Sequence, residues 1–285
     1  MAEAGGKTTA EVFDQVLTEV IGFLDHDKDP KSNGIKKYSA VLVIKEFCKK
    51  LPLITFNKLF DKQYNFIQIF DALGDHRLDV RTTAADCINE CIRMISARDY
   101  QNDQKRKYLD QIYRQVSRAL FDTNDSTDPN YQQSTLSILS ELIQVKGGGS
   151  GIGKNNKNII QQNELVIIQK ILMLIEQSKA VQVKKQCVEL VPQLIKHLPE
   201  FQSNNARFEK AMNSIFSFIK QKDKKADVAG AADFRGAGFN SLGKISLLAT
   251  REQMKPFLPK VFDLIDAELA KKPLEARKEQ YVKSL

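Results

Sequence analysis

Three groups of residues in this 285-residue chain have types and spacings that could support chemistry. Gly148 to Lys154 fits the pattern G-x-x-x-x-G-K, in which glycine amides wrap a phosphate and the lysine reaches its outer oxygens. The pattern fails on three counts. Asn155 stands where a serine or threonine hydroxyl would hold magnesium. The preceding segment, Leu136 to Val145, reads as helix rather than strand, and Asn155 to Asn158 is a poor start for the helix that must follow. The sequence predicts a polar linker here, and no nucleotide site.

Cys87 and Cys91 lie four apart, on one face of a helix, a spacing that suits a metal ion. His76 falls eleven residues earlier, with no matching ligand pair. Cys48, Cys87, Cys91 and Cys187 are each flanked by apolar residues, which favours reduced thiols packed as small hydrophobes in a cytoplasmic or nuclear protein. His26, His76 and His197 are far apart and near helix ends. Asp25 and Asp27 pair two carboxylates in a loop without a pocket, and no serine or cysteine sits in a recognisable nucleophile turn. The expectation is a chain with no catalytic residue, no cofactor and no metal.

The elements that carry these residues are helical almost throughout. Ala40, Val43, Ile44, Phe47, Cys48 and Leu51 follow the spacing 0, 3, 4, 7, 8, 11, and Ala84, Cys87, Ile88, Cys91, Ile92 and Ile95 repeat it. Cys187 to Leu198 and Phe208 to Ile219 carry similar stripes, the core-facing sides of amphipathic helices. Strand alternation and hairpin signals are missing; Asn33-Gly34 precedes a helical stripe and starts a helix. Phe56, Phe60, Tyr64, Phe66 and Phe70 read as an aromatic first helix filling the core between repeats, and Pro192 and Pro256 as kinks within helices.

Short breaks divide the chain into about eleven helices that should pack antiparallel in about six pairs. The second helices of successive pairs are predicted to start near Asn33, His76, Asn130, Val181, Ala229 and Leu274, a period of about 45 to 50 residues, close to that of HEAT and armadillo arrays. The fold class predicted is therefore an all-α superhelix, an armadillo-like or HEAT-repeat solenoid. Residues 1–146 would hold pairs one to three, 147–158 a flexible Gly/Asn/Lys-rich loop, and 159–285 pairs four to six, the last incomplete.

The repeat signature is clearest at Asp75, Asp79, Val80, Arg81, Ala84 and Ala85. The two aspartates suit a helix start, Val80 begins the buried stripe, Arg81 is expected to reach an acidic turn of an adjacent repeat, and the alanines admit a close neighbour. Weaker echoes fall at Ile35-Lys36 with Ser39-Ala40, Val183-Lys184 with Cys187, and Phe234-Arg235 with Ala237-Gly238. A partner surface is predicted at Lys37, Lys45, Lys49, Asp75 and Arg77.

Composition excludes other classes. Hydrophobic content of 42% spread along the chain argues against disorder, and no window approaches the ~18 apolar residues of a membrane span. Met1 to Thr9 is small and polar, unlike an export signal. The net charge of +8 favours acidic partners, but the lysines are scattered and not interleaved with stacking aromatics, which disfavours nucleic acid.

Several strings, in order, resemble the N-terminal HEAT region of the target-of-rapamycin protein kinases, members of the phosphatidylinositol 3-kinase-related group. They are Lys37 to Phe47 with Leu51-Pro52, Val80 to Ala85 with Cys91-Ile92, Ser134 to Leu142, Leu190 to Leu194, Met212 to Ile215, and Phe257 to Ile265. The similarity spans about Asn33 to Leu269, and the Gly-rich loop falls where the family carries a variable insertion. The resemblance implies a curved interaction arm of a large serine/threonine kinase in growth and nutrient signalling. That arm contacts a Raptor-type regulatory subunit and takes part in sensing a small GTPase, in the cytoplasm or recruited peripherally to endomembranes. Kinase motifs lie far downstream in the family and none occurs here, so the chain is expected to be no enzyme by itself and to continue into further helices. A different HEAT or armadillo adaptor, a nuclear transport receptor or phosphatase scaffold, is the alternative.

Overall fold

The computed structural model describes residues 8–24, 33–61, 63–97, 102–121, 128–145, 159–221 and 228–270. The expectations for the 147–158 loop, the phosphate-loop-like run, Asp25, His26, Asp27 and a closing helix from Leu274 lie outside the described residues. Among the described residues all regular structure is helical and no strand occurs. No helix among them is long and apolar enough to cross a membrane. The chain divides into two compact units, Met1–Ile159 and Ile160–Leu285.

The first unit opens with α1 (Thr9–Gly22), whose start is fixed by reciprocal bonds. The Glu11 amide donates to Thr8 Oγ1 at 3.3 Å and the Thr8 amide donates to Glu11 Oε2 at 2.8 Å. Next come α2 (Asn33–Lys50), α3 (Pro52–Phe56), a wide π-helical turn over Asn57–Asp61, α4 (Gln63–Asp71) and a 3-10 turn over Ala72–Gly74. Then α5 (Leu78–Ser96), α6 (Asn102–Phe121) and α7 (Pro129–Gln144) follow. Helices α2, α5 and α7 pack side by side in one layer, and α1, α3 with α4, and α6 back them. Short turns between helices that touch along their length make each pair antiparallel.

The predicted second-helix starts are observed at Asn33, Leu78 and Pro129. Every member of the Ala84 to Ile95 stripe is fully buried, each large side chain contributing roughly 1.5–3 kcal/mol. On α2, Ala40, Ile44 and Cys48 are buried while Val43 and Phe47 are half-covered; the Phe47 ring meets Phe13 of α1 edge-on at 5.8 Å.

The aromatic segment departs from the single first helix predicted for it. Pro52 suits a fresh helix start because its missing N–H has no partner there to lose, and the wide turn then breaks the run again. Phe56, Phe60, Phe66 and Phe70 remain buried despite these breaks. Ring centroids stand 5.0 Å apart for Phe56–Phe60, 5.2 Å for Phe60–Phe66 and 4.8 Å for Phe56–Tyr108 of α6.

In the second unit a short α8 (Ile159–Gln162) leads into α9 (Glu164–Gln177), α10 (Val181–His197), α11 (Pro199–Ser203) and α12 (Asn205–Lys220). The unit continues with α13 (Val228–Ser246), α14 (Arg251–Met254) and α15 (Leu258–Leu269). Here α9 packs on α12, and α10 on α13, again as two layers. Second helices begin at Val181 and Val228, as the spacing predicts. Pro192 lies inside α10. Pro256 does not lie inside a helix: it sits in the turn Lys255–Phe257 between α14 and α15, where a residue without an amide hydrogen ends the ladder. That turn delivers Phe257 against Phe208 and Phe216, with centroids 6.0 and 6.1 Å away.

Candidate functional site

The signature residues meet at the turn into α5. Asp75 Oδ1 accepts the Arg77 amide at 2.9 Å and lies 3.3 Å from His76 Nδ1, while Oδ2 pairs with Lys37 Nζ of α2 at 3.6 Å. Asp79 sits in the first turn of α5, where free amides favour an anion. Its Oδ1 accepts the Val80 amide at 3.0 Å and Arg77 Nε at 3.0 Å, and Arg77 Nη2 reaches Oδ2. These hydrogen bonds hold the Asp79 carboxyl below the usual carboxylate range and push Arg77 upward. Val80, Ala84 and Ala85 are buried.

Arg81 does not reach an acidic side chain of an adjacent repeat. It donates from Nη1 to the Asp75 and His76 carbonyls, at 2.9 and 3.0 Å. Those carbonyls precede the helix and lack partners in its ladder, and a guanidinium one turn into α5 satisfies both. The residue 44 positions earlier, in register with the Ala40 and Ala84 stripes, is Lys37; the Ile35-Lys36 echo is thus one residue out of phase. Lys37, Arg81 and Lys184 are each only 8% exposed. Lys184 Nζ donates to the Glu176 carbonyl at 3.2 Å and to Gln221 Oε1 at 3.4 Å, and burial lowers its pKa. Arg235, at the equivalent place in α13, donates from Nε to Glu268 Oε1 at 2.8 Å. In α2, α5, α10 and α13, but not in α7, which has no lysine or arginine, a basic residue is thus spent within the fold.

This changes the predicted partner surface. Lys37 and Asp75 are covered because they hold α2 to the α5 turn. Lys45 is engaged with Asp86 at 3.1 Å, and Lys49 with Glu46 at 3.4 Å on the outer face of α2. Arg77 lies over Gly34, where an added Cβ would come within 2.7 Å of its Cδ. What this end of the unit exposes instead is apolar: Ile35 at 68% and Leu78 at 66%. Both are out of phase with the buried stripes of their helices, which is the signal sequence reasoning overlooked.

A second constellation joins residues the sequence left separate. Cys48 of α2 comes to Cys87 and Cys91 of α5, with all three Sγ atoms within 4.8 Å of one another and Cys48 Sγ 3.6 Å from Cys91 Sγ. All three side chains are buried. The Cys87 and Cys91 thiols can donate to a Cys48 thiolate, so the first proton leaves from Cys48 most easily. The same contacts, with burial, push Cys87 and Cys91 up. Laid in register, the two stripes set Cys48 opposite Ile92 and Phe47 opposite Cys91, so the pattern brings the thiols to the same level of the two helices without pairing them. His76 is 80% exposed at the opposite end of α5, and Cys187 stands alone in α10 with its thiol pushed up by burial.

No protein-family model matches the chain. Among solved structures, a designed armadillo repeat protein is similar to it at 12% identity, covering 94% of this chain and 98% of that one with a TM-score of 0.43.

Proposed function

We propose that this chain is a protein-binding scaffold, the N-terminal helical-repeat arm of a target-of-rapamycin-type kinase, that engages a Raptor-type regulatory subunit and takes part in sensing a small GTPase. It contributes no chemical step and acts in the cytoplasm. The observation that supports this reading is where the family-like strings fall. Lys37 to Phe47 lies on α2, Val80 to Ala85 on α5 and Ser134 to Leu142 on α7, the three side-by-side second helices of the first unit. Repeat arrays bind along such a row because each unit adds a strip of surface to the next. At the edge of the row, Ile35 and Leu78 stand out beside Lys36 and the Arg77–Asp79 pair, apolar side chains with a charged rim.

The test is retention of a purified Raptor-type subunit on the immobilised 285-residue chain. The wild-type chain should retain it. Ile35→Asp/Leu78→Asp should lose at least tenfold in affinity with unchanged helical circular dichroism, and Leu165→Asp, an exposed position on α9, should not. A folded wild-type chain that retains nothing refutes the family-level reading. Full retention by the double variant refutes the edge.

A further inference from the structure

We propose that Cys48, Cys87 and Cys91 form a binding site for a thiophilic divalent d10 metal ion, held by three thiolates between α2 and α5. Three sulfurs arranged around an ion at a metal–sulfur distance of about 2.3 Å stand about 4 Å from one another. Here Cys48 and Cys91 are 3.6 Å apart and no separation in the cluster exceeds 4.8 Å, so the ion enters with sub-ångström adjustments. The scaffold holds the sulfurs in place. Cys87 and Cys91 are one turn apart on α5, and Cys48 is delivered by the packed neighbour α2.

The donor set selects the ion. Thiolates favour soft metals over magnesium, calcium or manganese, which prefer oxygen. Among the described residues no histidine or carboxylate joins the three sulfurs, and all three are buried. A site of this kind suits ions content with three sulfurs, so cadmium should bind more tightly than zinc, which prefers a fourth ligand. Binding replaces three S–H bonds by three metal–sulfur bonds and releases three protons to solvent. The product carries one net negative charge. Lys45, one turn before Cys48, holds its ammonium on Asp86 at 3.1 Å, next to Cys87 in sequence, so the nearest cation is part of a neutral pair.

The experiment is a titration of the full chain, reduced and desalted without oxygen, with cadmium ion alone. Thiolate-to-cadmium charge-transfer absorbance and intact mass under native conditions are recorded. One cadmium per chain should bind, with the absorbance of three thiolates, three protons released and a raised melting temperature. Cys187→Ala should titrate identically, and Cys48→Ala or Cys91→Ala should weaken binding at least a hundredfold. Circular dichroism without metal establishes that each variant is folded. If a cluster variant does not fold, the stoichiometry and absorbance of Cys187→Ala decide alone, since that chain keeps only the three clustered thiols. The proposal is overturned by a folded wild-type chain with no charge-transfer band at stoichiometric cadmium. It is equally overturned by a band that persists in Cys48→Ala/Cys91→Ala or vanishes in Cys187→Ala.

Discussion

Two glycines on α13 offer a within-helix test of how closely the repeats pack. A Cβ added at Gly238 would lie 2.4 Å from Ile219 Cγ1 and 3.0 Å from Ile219 Cδ1, on α12. Carbon atoms rest at about 3.5–4.0 Å, so the intrusion is roughly an ångström. Ile219 Cγ1 belongs to a β-branched side chain with one strongly preferred rotamer in a helix, so it cannot simply swing aside. Relief requires α12 and α13 to separate, and overpacking of this kind costs about 1–3 kcal/mol. Replacing glycine by alanine in a helix returns roughly 0.5–1 kcal/mol, so Gly238→Ala should be destabilising by about 1–2 kcal/mol. Gly243 lies five residues later on the same helix, and a Cβ there meets nothing within 4 Å. Gly243→Ala should therefore stabilise by up to about 1 kcal/mol. Urea unfolding followed by circular dichroism reads both, and melting midpoints should move in opposite directions at about 4 °C per kcal/mol. In the Gly238→Ala/Ile219→Ala double variant the costs should be less than additive, because the obstructing carbon is gone. Equal stabilisation by the two single substitutions would refute the close approach of α12 to α13.

Three further outcomes are expected. Val80→Asp places a carboxylate in a fully buried site at the start of α5 and should cost about 3 kcal/mol or more by chemical denaturation, whereas Leu78→Asp, beside it but exposed, should cost under about 1 kcal/mol. Arg235→Met takes the guanidinium away from the buried Glu268 carboxylate and should cost roughly 2–4 kcal/mol, most of it recovered in Arg235→Met/Glu268→Leu, a cycle read by thermal melting. Burial, with a smaller contribution from Asp110, raises the Tyr113 hydroxyl from 10.0 to about 12. The folded state therefore favours the protonated form, its contribution is complete below pH 10 and is lost as pH rises towards 12; Tyr113→Phe should remove that slope from the stability-versus-pH curve.

The helical period was legible because burial follows it: the Ala84 to Ile95 stripe is fully buried as the spacing requires. Breaks marked by proline or by a capping residue, such as Asp128 accepting the Asn130 amide at 2.9 Å, also fell near their predicted places. The aromatic run from Phe56 to Phe70 was misread as one helix because its apolar spacing survives a π-helical turn that no residue type announces. The buried basic position was harder still. Lys37 and Lys36 are chemically identical and adjacent, and only the phase of the neighbouring stripe shows which one faces Asp75. Lys37 and Asp75 entered the predicted partner surface for the same reason, since charge in a sequence does not distinguish a solvated side chain from one already committed.

That distinction alters what the net charge of +8 can do. Lys37, Arg81, Lys184 and Arg235 satisfy turns and carboxylates within the fold. A second set of cations bridges successive second helices: Lys45 to Asp86 between α2 and α5, Arg93 to Glu141 at 2.9 Å between α5 and α7, and Lys185 to Asp233 between α10 and α13. Such partly exposed pairs contribute at most about 1 kcal/mol each, too little to hold the layers together, which apolar burial does instead. Their recurrence at the same kind of contact favours one register of a repeat on the next, because a slipped helix would lose its pair. These cations thus serve assembly first, most of them in pairs that leave the net charge unchanged. Under the proposed scaffold role, recognition at the α2–α5 edge falls to what assembly leaves uncovered there, the side chains of Ile35 and Leu78, whose desolvation would favour a partner with a matching apolar face.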